Sequence, residues 1–103
     1  MNFEIDPNEM EANAERAAEF LKSIANGVRL RVLCKLMDTE KSAGDLSREL
    51  GITQANLSQH LAWLKDQDLV QSRREGTVKF YRLSGTRVEP LMTVLYSMFC
   101  EVP

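Results

Sequence analysis

Thiols and imidazoles are scarce in this chain: among 103 residues there are two cysteines, Cys34 and Cys100, and one histidine, His60. So few cysteines exclude the stapled scaffold of a small secreted domain, which carries disulfides at high density, and leave free thiols as the default. A single histidine with no second ligand at a recognisable spacing is a poor basis for a zinc site or for acid–base catalysis. The chain also has no nucleophile–base constellation, glycine-rich phosphate loop or carboxylate pair, so no enzyme, metal or cofactor is expected. No apolar run approaches the roughly 20 residues of a membrane span. The acidic start MNFEIDPNEMEANAE lacks the positive and apolar regions of a signal peptide, which predicts a cytoplasmic protein with no membrane partner. Internal repeats, long linkers and low-complexity stretches are missing too.

What is present is an ordinary folding composition, 44% hydrophobic and 27% charged, at a length suited to one domain spanning residues 1–103. The formal net charge of -2 argues at first against a nucleic-acid partner. Its distribution reverses that argument. Glu4, Asp6, Glu9, Glu11, Glu15 and Glu19 face only Arg16 within the first twenty residues, which therefore carry -5. The remainder holds 12 Lys+Arg against 9 Asp+Glu and is basic. Steering toward phosphates depends on where the positive charges lie, so DNA stays open as a partner.

Phe3 to Pro7 reads as an N-terminal arm. From Glu9 to about Ala25, the residues Ala14, Ala17, Ala18, Leu21 and Ile24 recur at helical spacing, until Asn26-Gly27 breaks the pattern. A second, short helix runs from Val28 to Met37, followed by the polar connection Asp38-Thr39-Glu40. Ser42 caps a third helix, SAGDLSREL, with Asp45 three residues on, and Gly51 closes it. Thr53 opens a fourth, TQANLSQHLAWLKDQDL, with an apolar stripe of Leu57, Leu61 and Leu64. Two short helices joined by a glycine-containing link of about three residues match a helix-turn-helix. Val70, Ser72 and then Val78, Phe80 and Leu83 predict two strands about a Glu75-Gly76 turn. A last amphipathic helix covers Thr86 to Phe99, with Pro90 tolerated in its first turn. The predicted fold is mainly α with a small β hairpin, in the order α-α-α-α-β-β-α.

The chemistry of the fourth helix favours DNA. Thr53, Gln54, Asn56, Ser58 and Gln59 are uncharged polar groups crowded at its start, where a recognition helix meets base edges and its dipole favours phosphate. Asn and Gln can pair with adenine through two hydrogen bonds, and Ser and Thr bond phosphates or bases. The blander alternative is that these residues cap the helix and face water. Arg73, Arg74 and Lys79 on the hairpin can track phosphates, or else be solvated turn charges. His60 is expected to touch phosphate or pack. Trp63 is expected to pack between the recognition helix and the hairpin.

The segment SAGDLSRELGITQANLSQHLAWLKDQDLVQSRREGTVKFYRLS resembles the ArsR family of winged helix-turn-helix repressors, and IANGVRLRVLCKLM resembles that family's entry helix. The resemblance implies a homodimer built on the first and last helices, binding inverted repeats in double-stranded operator DNA and releasing them when an inducer is sensed. The positions at which metal-sensing members carry ligands hold Ser42, Ala43 and Gly44 in one place and only Glu89 and Glu101 in the other. What remains, Cys34 and Cys100, resembles the sulfide- and persulfide-sensing branch. That branch implies two cysteines joined through a disulfide or a bridge of added sulfur atoms, with a persulfide, polysulfide or other thiol oxidant as inducer. Read by itself, Cys34 between Leu33 and Leu36 could equally be core filler, whereas Cys100 near the terminus is expected to be exposed. Other classes compatible with these residues are a DNA-binding regulator with structural cysteines that displaces another protein, and a winged-helix protein-interaction module.

Overall fold

The computed structural model describes residues 4–100; Phe3 of the expected arm and Glu101 lie outside them. Asp6 accepts a hydrogen bond from the Asn8 amide and Pro7 occupies the first helical position, so helix α1 (Pro7–Ala12) begins inside the expected arm. Helix α2 (Ala14–Ile24) follows after a break at Asn13, whose side chain donates to the Glu9 carbonyl at 2.9 Å. The single helix expected from Glu9 to Ala25 is therefore two, because an Asn side chain competes with the backbone for helical hydrogen bonds.

Asn26 is extended and accepts from the Val28 and Arg29 amides, capping α3 (Gly27–Lys35). This helix ends two residues short of the expected Met37. Strand β1 (Lys41–Ser42) is a further departure. It pairs with Tyr81 and Phe80, making the hairpin the larger part of a three-stranded antiparallel sheet of order β1-β3-β2. Two residues without alternation leave no period-2 signal to read.

Ser42 caps α4 (Ala43–Leu50) by accepting from the Asp45 amide. Gly51 then adopts φ +69°, while the Ile52 amide reaches Ser47 O and the Gly51 amide reaches Arg48 O, a left-handed termination that glycine allows without strain. Thr53 caps α5 (Gln54–Asp66). The helix stops three residues before the expected Leu69, because Asp68 turns to φ 59° and the Leu69 amide bonds back to Leu64 O. Strands β2 (Val70–Glu75) and β3 (Val78–Leu83) then meet across the two-residue turn Gly76-Thr77, glycine first with positive φ. Helix α6 (Val88–Phe99) ends the described fold.

The core lies between α3, α4, α5 and the sheet: Val32, Leu33, Leu46, Leu57, Leu61, Leu64 and Val70 are fully buried. Helix α6 buries only Val88 and Met92. Its Val94, Tyr96, Met98 and Phe99 stay exposed, Phe99 by 79%, as do Met10 of α1 and Leu21 of α2. Among the described residues no helix is long and apolar enough to cross a membrane.

Candidate nucleic-acid interface

The buried stripe Leu57, Leu61 and Leu64 seats α5 on the core and thereby turns Asn56, Ser58 and Gln59 outward; Gln54 lies on the stripe's own side but at the first helical position, and all four are exposed. Thr53 is also exposed, but its hydroxyl oxygen already accepts from the Asn56 amide at 3.1 Å, so capping occupies one of its lone pairs. His60 is half-buried on the flank of the same helix. Among the described residues no group of three His, Cys, Asp or Glu side chains is placed to hold a metal ion.

The hairpin separates residues that adjoin in sequence. Strand alternation puts Arg74 and Lys79 on the face of Val70 and Tyr81, which is turned to the helices, and Arg73 with Phe80 on the other. Arg73 is engaged within the fold. Its guanidinium donates to both carboxylate oxygens of Glu40, at 2.9 and 2.6 Å, and to Glu75 at 2.7 Å, and it lies 4.7 Å from the Phe80 ring centre. A phosphate would have to displace a carboxylate to reach it.

Arg74 and Lys79 are direct cross-strand partners, and among the described residues neither makes an ion pair. Like charges opposite one another destabilise a hairpin, so this pair weakens the isolated fold and is favourable only where an anion joins it. Lys65 of α5 donates to Ser72 Oγ at 2.9 Å, bracing the hairpin against the helix.

The Glu40 link makes the hairpin sensitive to acid. Its hydrogen bonds to Arg73 hold the Glu40 carboxyl below the ordinary glutamate value, while Arg73 stays charged throughout. A depressed carboxylate contributes stability above its unfolded value, near 4.3, and loses it as pH falls through its own lower value. The melting-temperature advantage of wild type over Glu40→Gln should therefore be constant near neutrality and shrink below about pH 4.3. An advantage that grew on acidification would contradict the assignment.

Trp63 departs from expectation. Its indole Nε1 donates to Ser23 O at the end of α2, at 3.0 Å, and Arg29 of α3 stands 4.9 Å from its ring centre, so it joins the recognition helix to α2 and α3 instead of to the hairpin. The positions carry no sequence signal for this contact, because it spans forty residues and one partner is a backbone carbonyl. Both cysteines are free and exposed. Core filler is therefore ruled out for Cys34: Leu33 and Leu36 point inward and the thiol outward. Cys100 ends α6, its amide bonding to Tyr96 O.

The description "bacterial regulatory protein, arsR family" matches residues 26–72, from the cap of α3 into β2. The transcriptional activator HlyU of Vibrio cholerae is 45% identical over 93 residues, covering 90% of this chain and 86% of that protein. The biofilm growth-associated repressor of Xylella fastidiosa is 38% identical over 92 residues, covering 89% and 81%. Reduced HlyU from Vibrio cholerae superposes with a TM-score of 0.85 at 45% identity, covering 91% of this chain and 99% of that one. A homodimeric winged helix-turn-helix DNA-binding domain from Mycobacterium bovis superposes at 0.75 with 31% identity, covering 95% and 89%. With an outward polar recognition helix, a basic hairpin and these likenesses along nearly its whole length, the chain belongs to the ArsR family of DNA-binding winged helix-turn-helix transcriptional regulators.

Proposed function

We propose that this chain is a homodimeric repressor of an inverted-repeat operator, and that linking Cys34 to Cys100 within a subunit lowers its affinity for that DNA. The observation that carries the DNA reading is the Arg74–Lys79 pair, two like charges held opposite each other on the helix-facing side of the hairpin and left uncompensated. Phosphate supplies the missing counter-charge, while Gln54, Asn56, Ser58 and Gln59 read bases. Dimerisation is supported by the exposed apolar set on α1, α2 and α6, and by the Mycobacterium bovis domain being described as homodimeric.

The thiol switch is supported by the exposure of both cysteines and by the weak anchoring of α6. Met37, one turn beyond Cys34, shares a groove with Met92 and Thr93 of α6. Cys100 follows Met92 by eight residues, about 12 Å of helix axis. A bridge to Cys34 ties that end of α6 to α3, and the movement of α6 it imposes is the coupling the switch needs. Disulfide formation takes two electrons and two protons from the thiols, and a persulfide accepts them as it splits into a thiol and hydrogen sulfide.

The DNA reading is tested on a duplex selected from random sequence, with binding followed at several salt concentrations. Gln59→Ala should lose about 1–3 kcal/mol on the selected site and little elsewhere. Arg74→Ala should weaken all duplexes alike and reduce the salt slope by about 0.9, with a melting temperature equal to or above that of wild type. If both variants bind like wild type, the assigned face is wrong. The Vibrio relative being described as an activator favours a second reading, in which the protein displaces another DNA-bound protein. Operator binding that is the same in reduced and oxidised protein would select it.

A further inference from the structure

Helix α2 ends at Ile24, so the Ser23 carbonyl is one of the last-turn acceptors that its own helix leaves unfilled. Two side-chain donors from other helices fill it. Trp63 Nε1 reaches it from α5 and an Arg29 terminal nitrogen from α3, both at 3.0 Å, and the guanidinium also lies over the indole, 4.9 Å from its centre. Three helices thus meet at one carbonyl oxygen, where the negative end of the α2 dipole favours a cation.

The clamp is not simple packing. Arg29 Nε is buried without a hydrogen-bond partner, a cost that an aliphatic side chain of the same volume would avoid. Trp63 remains 43% exposed, so its ring is held from one side by the cation and the carbonyl and not by enclosure. The opposite side of α5 rests on Leu57, Leu61 and Leu64, an apolar seat that resists lifting but offers little directional resistance to rotation or sliding. Directional hydrogen bonds at Trp63 supply what the leucines lack, near the end of the helix remote from Gln54 and Asn56.

We infer that Arg29 and Trp63 are positioning residues for DNA recognition: through the Ser23 carbonyl they fix the rotation and axial position of α5 relative to α2 and α3, and so the register of Gln54, Asn56, Ser58 and Gln59 on the bases. The inference rests on the assignment of α5 as the reading helix and is independent of the cysteines. A small rotation at Trp63 misaligns bidentate base contacts, which depend on geometry, and leaves phosphate attraction nearly intact.

The test measures affinity for the selected duplex and for unrelated duplex, below the melting transition of every variant. Arg29→Met keeps the volume and removes the charge; Trp63→Phe keeps a ring and removes the N–H; Arg29→Lys keeps a cation able to reach both the ring and Ser23 O. The first two should lower affinity for the selected site about 3- to 30-fold, with unrelated DNA and the salt slope unchanged, and Arg29→Lys should recover part of the loss. Because Trp63 is the only tryptophan, its emission reports the clamp directly. Arg29→Met should shift that emission, and the double variant should lose less than the sum of the singles. Lower melting temperatures with an unchanged ratio of selected-site to unrelated binding would overturn the inference and leave a merely structural contact. Wild-type protein unable to distinguish the two duplexes would instead overturn the assignment of α5.

Discussion

Exposing the reduced protein to an organic persulfide is expected to lower operator affinity by about 100-fold or more at fixed salt, whereas Cys34→Ser and Cys100→Ser variants remain bound and unresponsive. A bridge can act on that scale because the two ends it joins are anchored unequally. Helix α3 has Val32 and Leu33 fully buried beside α4 and α5, so displacement of α3 disturbs the seat of the recognition helix. Helix α6 is held by Val88 and Met92 near its start, and its second half is exposed. In a dimer built on that exposed half, the same movement also reaches the partner and alters the spacing of the two recognition helices, to which an inverted repeat is sensitive. Each serine variant removes one end of the bridge and, since both thiols are exposed, should change stability by less than about 0.5 kcal/mol. Affinity is followed by anisotropy and the sulfur chemistry by mass spectrometry of the peptides containing Cys34 and Cys100. Unchanged affinity with both thiols bridged would remove the switch from this protein.

The largest effect on stability is expected at Leu64, which is fully buried and meets the core from the last turns of α5. Leu64→Ala should cost about 2–5 kcal/mol, from lost transfer free energy together with the cavity left behind. A chain of this size is stable by roughly 5–15 kcal/mol, so the variant should unfold at a much lower urea midpoint with an unchanged dependence on denaturant. The site is a severe one because the Leu69 amide bonds to the Leu64 carbonyl in the turn that leads into β2, so collapse around the cavity is resisted by the backbone. A loss below about 1 kcal/mol would mean that α5 is not seated as described.

Much of this was legible in the sequence where the controlling interactions are local. Ser42 caps α4 as expected, α5 starts at the expected Thr53, Gly51 terminates α4 in the left-handed conformation, and the stripe Leu57, Leu61 and Leu64 is buried. Each is decided within a turn or two of chain, by hydrogen bonds or periodicity that neighbouring residues set. The errors at Asn13, Met37 and Leu69 concern where a helix stops, which depends on one side chain or one φ angle competing with continued helix.

Contacts between distant segments were not legible. Arg73 and Arg74 are adjacent and chemically alike, and only their opposite faces in the paired hairpin commit one to Glu40 and leave the other uncompensated. Trp63 reads as a generic packing residue until the fold brings the Ser23 carbonyl and Arg29 to it. By itself the sequence determined where most of the helices and the hairpin begin and the polar start of the reading helix, because spacing and capping are properties of short stretches of chain. The tertiary structure alone decided which of Arg73 and Arg74 is paired with a carboxylate, that both thiols face outward, and that Trp63 meets the Ser23 carbonyl, because those depend on which face a residue takes and on partners up to forty positions away.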